Sequence, residues 1–211
     1  MRKVIGFYHY TVILTYCGLF FALYGISSVT KGEYYIAVVC LMAAGLCDMF
    51  DGAVAATKKR TPDEKRFGIQ IDSLCDLVCF GVLPGIWVHS FFGKGPLVSV
   101  VSALYILCAL IRLAYFNVSE EHRQDLTDGV RETYLGMPVT TVALILPALH
   151  LIYRQFTFVS AAVFPAALFI TAIAFITPLK IKKPHKTGKL LLLAAGVTEA
   201  AMIILQTGCK R

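Results

Sequence analysis

Charge is scarce in this chain: Asp, Glu, Lys and Arg make up 16% of its 211 residues, against 57% hydrophobic residues. A water-soluble domain of this size needs a far more charged surface, so an ordinary soluble globule is excluded. The sequence also lacks linkers, repeats and low-complexity stretches. Its longest polar stretch, Ser119 to Thr133, mixes both signs and reads as one cytoplasmic loop, which makes residues 1–211 a single domain. Sulfur-based metal sites are missing too, because Cys75 and Cys79 have no matching second pair. Cys17, Cys40, Cys47 and Cys108, also within apolar segments, read as small buried side chains. His9, His89, His122, His150 and His185 are scattered without ligand spacing. The net charge of +7 is no nucleic-acid signature, since Lys and Arg fall in loops between apolar runs.

Those runs are what the sequence has in abundance, and the mean hydropathy is +0.71. A bilayer-spanning helix takes roughly 20 mostly apolar residues. Seven stretches qualify: Tyr10–Val29, Tyr34–Ala56, Ile69–Phe92, Leu97–Asn117, Leu135–Tyr153, Phe158–Leu179 and Leu190–Gln206. The expected fold is therefore all-α, a polytopic membrane bundle of about seven helices with a range of six to eight. The first run is too long for a cleaved signal peptide and reads as a retained helix. With the N-terminus placed in the cytoplasm, fourteen basic residues fall on the inside and five (Lys31, Lys94, Arg154, Lys210 and Arg211) on the outside. That asymmetry is the positive-inside pattern, so the N-terminus is expected in the cytoplasm. Trp87 and the tyrosines near segment ends read as interfacial anchors.

Five of the thirteen acidic residues lie within apolar segments: Asp48, Asp51, Asp72, Asp76 and Glu199. Each costs about 2.5–3.5 kcal/mol at a helix centre on insertion scales. Asp48 and Asp51 are three apart, and Asp72 and Asp76 four apart, so each pair shares one face of its helix. The basic loop Thr57–Phe67 joins the two helices, so all four carboxylates converge near one end. Such convergence requires cations between them or several bound protons. All-oxygen ligands favour hard ions, Mg²⁺ or Mn²⁺, and two ions about 4 Å apart form the usual clamp for phosphoryl displacement. The bland alternative, aspartates pairing with basic residues, has only Arg112 within the helices to draw on. Gly52 and Gly68 flank the carboxylates and serve either helix packing or the close approach of a phosphate or nucleotide. No role beyond helix packing is assigned to Glu199.

Asp48-Met49-Phe50-Asp51-Gly52, then Ala55, then Gly68, Asp72 and Asp76 resembles the signature of the CDP-alcohol phosphotransferase family, D-x-x-D-G-x-x-A-R followed by G-x-x-x-D-x-x-x-D. The run from Asp72 to Pro84, with Ser73, Leu74, Asp76, Val78, Phe80 and Gly81, is similar to the phosphatidylserine synthase branch, as are Arg112–Val118 and Leu135–Val139. The resemblance covers residues 48 to 139, with the signature hairpin at 48–84. It implies a helical membrane fold, CDP-diacylglycerol as donor and L-serine as acceptor. It also implies a divalent-metal site (Mg²⁺ or Mn²⁺, two ions) on Asp48, Asp51, Asp72 and Asp76, with Asp76 as general base. Gly52, Ala56, Lys58, Lys59, Arg60 and Gly68 are the expected donor-binding positions, and Arg112 and Asn117 the acceptor- or phosphate-binding ones.

Two departures stand out. The family arginine aligns with Ala56, and the spacer to Gly68 is longer than usual, carrying Lys58, Lys59 and Arg60 in place of the lost cation. Ala53 also replaces a residue that is commonly basic in the serine branch. Arg112 is read either as snorkelling to the headgroups or as a fork for a carboxylate or phosphate. The rival readings are a sister enzyme using glycerol phosphate or an inositol phosphate, a divalent-cation transporter, and a non-catalytic scaffold. The expected surroundings are membrane lipids, a second copy of the chain in a homodimer, no nucleic acid, and a prokaryotic cell membrane with the active site facing the cytoplasm.

Overall fold

A computed structural model describes residues 5–93, 95–126, 133–182, 194, 196–199 and 201–202. A single 3₁₀ turn, Tyr10–Val12, leads into α1 (Ile13–Thr30), and α2 (Tyr34–Ala55) returns beside it. Next comes one continuous rod made of α3 (Pro62–Asp76), a π-helical segment (Leu77–Val82) and α4 (Leu83–Phe92). The long α5 (Pro96–Leu126), α6 (Val142–Gln155) and α7 (Val163–Ile176) complete the bundle. Among the described residues, four spans are long and apolar enough to cross a bilayer: Tyr10–Thr30, Tyr34–Ala55, Pro62–Phe92 and Pro96–His122. Val139–Gln155 and Val163–Ile176 are shorter apolar helices. The chain is a polytopic helical membrane protein. The seventh expected segment, Leu190–Gln206, is helical at its described residues, and the remainder lies outside them, as do Lys183, Lys186 and Lys189.

Small residues set how closely the helices approach. A Cβ on Gly25 of α1 would lie 3.1 Å from Cys40 Cβ of α2, and one on Gly45 would lie 2.9 Å from Ala143 Cβ of α6. Ala22, Ala37 and Ala44 are buried in the same seams. In a bilayer, where burial from water is not the driving force between helices, such close packing is what holds them together.

The rod starts earlier than the expected Ile69. Thr61 caps α3 in a full capping box, accepting from Glu64 N at 3.2 Å while Glu64 accepts from Thr61 N at 2.9 Å, and Pro62 follows at the first helical position. At about 1.5 Å per residue, a 31-residue rod is roughly 46 Å long, well beyond the hydrocarbon core of about 30 Å. A rod longer than the apolar layer must tilt or project beyond it. The π-helical segment begins directly after Asp76. Pro84 has no N–H to offer the Phe80 carbonyl four residues back. The buried Tyr105 hydroxyl of α5 donates to that carbonyl instead, at 2.5 Å.

Three expectations are corrected. Leu135–Tyr153 is not helical from its start. Thr133–Leu135 forms strand β1, antiparallel to β2 (Lys180–Lys182), and helix resumes only at Val139. Gly136 is the reason: its φ is +77°, and a Cβ there would lie 2.6 Å from the Phe175 carbonyl oxygen, so the chain turns sharply before Pro138. Phe158–Leu179 likewise forms helix only over Val163–Ile176. Trp87 is not an interfacial anchor. It is 0% exposed, stacks on Phe91 at 4.5 Å, and donates its indole N–H to Tyr34 O at 2.9 Å. It sits at the centre of an aromatic cluster at the end of the bundle away from the aspartates.

Candidate active site

The site forms where α2 and the end of α3 meet against α1. Asp48, Asp72 and Asp76 each bring a carboxylate oxygen to within 4.8 Å of the others. The helical spacing of Gly68, Asp72 and Asp76 puts these three on one stripe of the rod, facing the Asp48–Asp51 face of α2. Asp51 lines the same hollow, alongside Asp72. Two carboxyls that close need a proton or a cation between them. The hollow among the four is about 10 Å³, close to the space of one water-sized particle. Thr15, Cys47, Cys75 and Cys79 share its walls with the four aspartates, whose oxygens are the donors that suit a hard divalent cation.

Helix α1 supplies a wall that the sequence pattern did not mark. Thr15 hydroxyl donates to Asp51 Oδ2 at 3.5 Å, and Gly18 brings α1 close, a Cβ there lying 3.6 Å from Cys47 Cβ. A threonine in an apolar run carries no signal of its own. Ser73 and Gln70 were missed as well. Ser73 Oγ donates to Asn117 Oδ1 at 2.6 Å, and Asn117 Nδ2 donates to Gln70 Oε1 at 3.2 Å. Asn117 is thus built into the seam between α3 and α5.

Arg112 does not snorkel. Only 8% of it is exposed, and its guanidinium lies 5.2 Å from the Phe116 ring centroid. It also borders a cavity of about 320 Å³ between α5, the end of α7 and the turn at Gly136, with Tyr115, Phe175 and Thr177 among the walls. One buried cation thus borders a cavity of ligand size.

The loop positions separate clearly. Gly52 has nothing within 4 Å of a would-be Cβ, so the backbone beside Asp51 faces open space. Ala56 is exposed at the end of α2, and Lys59 is exposed. Lys58 Nζ pairs with Glu64 Oε1 at 3.2 Å. Arg60 is half-buried, its Nη1 3.1 Å from where a Cβ on Gly68 would stand.

The fold and site define a helical membrane protein with a carboxylate cluster shared between two helices, an arrangement suited to holding divalent cations. The family pattern of CDP-alcohol phosphatidyltransferases matches residues 8–178, and the chain belongs to that family. It is 28% identical over 153 residues to a CDP-diacylglycerol–serine O-phosphatidyltransferase of Helicobacter pylori (strain J99 / ATCC 700824), covering 72% of this chain and 61% of that protein. It is 27% identical over 171 residues to the protein of that name from Bacillus subtilis (strain 168), covering 80% and 84%. An archaetidylserine synthase of Methanothermobacter thermautotrophicus is 32% identical over 121 residues, covering 57% and 48%. The chain spans less than two thirds of the length of the Helicobacter relative.

Proposed function

We propose that this chain transfers the phosphatidyl group of CDP-diacylglycerol to L-serine, giving phosphatidylserine and CMP. The observation that carries this reading is the convergence of Asp48, Asp72 and Asp76 within 4.8 Å at the end of the hairpin, beside the open backbone at Gly52. The serine synthase names of the relatives support the choice of acceptor.

In this reading Asp48, Asp51, Asp72 and Asp76 hold Mg²⁺ or Mn²⁺, in two ions once the donor phosphates join the ligand set. The metal supplies charge neutralisation of the diphosphate and stabilisation of departing CMP. Gly52 leaves room for the diphosphate against the backbone. Asp76 accepts the proton of the serine hydroxyl as its oxygen attacks the lipid-side phosphorus. The new P–O bond forms as the bond to CMP breaks, and CMP leaves with the electron pair. Arg112, buried and lining the larger cavity, binds the serine carboxylate or a donor phosphate as a planar fork. Asn117 positions α3 against α5. The acyl chains stay in the bilayer, and the aspartates face the cytoplasm, in keeping with the basic excess on that side.

The test is CMP release by the purified protein from CDP-diacylglycerol with Mg²⁺ or Mn²⁺ and a panel of acceptors. Release with serine supports the reading. Release with glycerol 3-phosphate or an inositol phosphate but not with serine would move the chain to a sister branch.

A further inference from the structure

We infer that the N-terminal segment, residues 5–12, is a positioning clasp that sets the width of the acid-bearing hairpin: Tyr10 holds Thr57 just past the end of α2, and Phe7 holds Phe67 on α3. The inference rests on the metal reading above and adds residues that lie outside the acid cluster.

The hairpin needs a clasp because its limbs diverge. Among the described residues, α2 packs against the rod along Leu77–Val82 and α4, past Asp76, whereas α2 and α3 barely approach each other. The limbs therefore spread toward the loop, and all four aspartates sit on the spread part. Yet Asp48, Asp72 and Asp76 bring oxygens from both limbs within 4.8 Å of one another. Two helices that do not pack together owe such spacing to a third element that touches both. Helix α1 packs on α2 and on α3, and its Thr15 reaches Asp51 Oδ2 at 3.5 Å. Residues 5–12 carry the same support out to the loop.

The two holds fall on the two ends of the basic loop. Tyr10 Oη and Thr57 Oγ1 are 2.9 Å apart. The Thr57 hydroxyl donates its one proton to Val54 O at 2.7 Å, so Tyr10 is the donor of the pair. Val54 lies in the last turn of α2, and the two bonds in series end on that helix. On the other limb, the rings of Phe7 and Phe67 meet edge to face, with centroids 5.5 Å apart at 63°. Thr57 is six residues from Asp51 and Phe67 five from Asp72, roughly 8 Å along each limb. A shift at either hold is thus passed along a short stretch to a carboxylate.

Local structure aims the clasp. Thr11 and Val12 are 3% and 4% exposed and anchor the 3₁₀ turn inward, while Tyr10 stays on the outer side. Val12 N donates to His9 O at 3.2 Å, and His9 Nδ1 hydrogen-bonds with the Thr11 hydroxyl. Gly6, with φ at +120°, makes the bend before them, and the Tyr8 hydroxyl closes it on Ile5 O at 2.7 Å. Tyr8 uses its hydroxyl within the segment; Tyr10 uses its own across to α2. A tyrosine that only anchors the chain at the bilayer surface needs its ring and not that bond.

The experiment makes two measurements on the purified full chain in neutral detergent, and neither requires turnover. One is amide hydrogen exchange of the metal-free protein over residues 48–57 and 62–72. The other is Mn²⁺ affinity, read from the electron paramagnetic resonance signal of the free ion. Tyr10→Phe and Thr57→Val should each speed exchange in the last turn of α2 and weaken Mn²⁺ about threefold, and together they should do no more than either alone, since both remove one bond. Thr57→Ser should keep the parental values. Phe7→Ala should speed exchange in the first turns of α3, and Phe7→Ala with Tyr10→Phe should weaken Mn²⁺ about tenfold. One such hydrogen bond and one edge-to-face ring pair are each worth roughly two- to tenfold. Tyr8→Phe should match the parent in both measurements. Parental exchange and Mn²⁺ affinity in both Tyr10→Phe and Phe7→Ala overturn the inference. So does an equal loss in Tyr8→Phe, or faster exchange spread over the whole chain in place of the two limbs. If the parent chain binds no Mn²⁺, the metal reading fails and exchange alone decides: local speeding at the limbs supports the clasp, and parental rates overturn it.

Discussion

Ser73 and Asn117 share a 2.6 Å hydrogen bond across the seam between α3 and α5, next in sequence to Asp72. Gln70 takes the other end of the Asn117 amide at 3.2 Å, so a single side chain holds two successive turns of the acid-bearing helix. Asn117→Ala would leave the buried Ser73 hydroxyl without this partner and loosen the register of α3. Misplacement of reacting groups by about 1 Å costs on the order of 100-fold in rate. We expect kcat to fall between about tenfold and 100-fold with little change in donor KM. Steady-state kinetics of Asn117→Ala and Ser73→Ala check this, and a rise in KM at constant kcat would instead make Asn117 a ligand contact.

Asp48→Asn, Asp51→Asn, Asp72→Asn and Asp76→Asn should each nearly abolish CMP release while leaving the fold intact. Each change removes a metal ligand or the base and also relieves repulsion within the cluster. The thermal transition in detergent should hold or rise. Parental turnover in any one variant would remove that residue from the catalytic set.

Chelation should stop turnover, and Mg²⁺ or Mn²⁺ should restore it. Ca²⁺, which takes more ligands at longer distances, should restore it poorly in a hollow of about 10 Å³. The readout is CMP release after metal depletion and titration with each ion. Turnover that survives depletion would remove the metal from the mechanism.

Tyr105→Phe tests the π-helical segment apart from the chemistry. It keeps the ring that packs near Phe175 at 5.5 Å and removes the hydroxyl that serves the Phe80 carbonyl. Loss of a buried partner costs about 1–3 kcal/mol. The expected result is a lower thermal transition in detergent, with activity at low temperature reduced less than in the Asn117 variant. An unchanged transition would mean that the carbonyl is satisfied without Tyr105.

The sequence by itself determined the membrane class and the approximate places of the first four spans, and it singled out four aspartates. Apolar run length and intramembrane carboxylate spacing are local properties, and the bilayer converts them directly into helices and shared faces. It also showed that a cation was missing at Ala56 and that three stood ready to replace it. Only the tertiary structure separated those three, because Lys58, Lys59 and Arg60 differ in their neighbours and not in their charge. It alone buried Arg112 and set it against a cavity. It alone tied Asn117 to Ser73, brought Thr15 to Asp51, and turned the expected helix start at Leu135 into a strand. Each of these depends on residues dozens of positions apart meeting across helix seams, a relationship that no local period in the chain encodes.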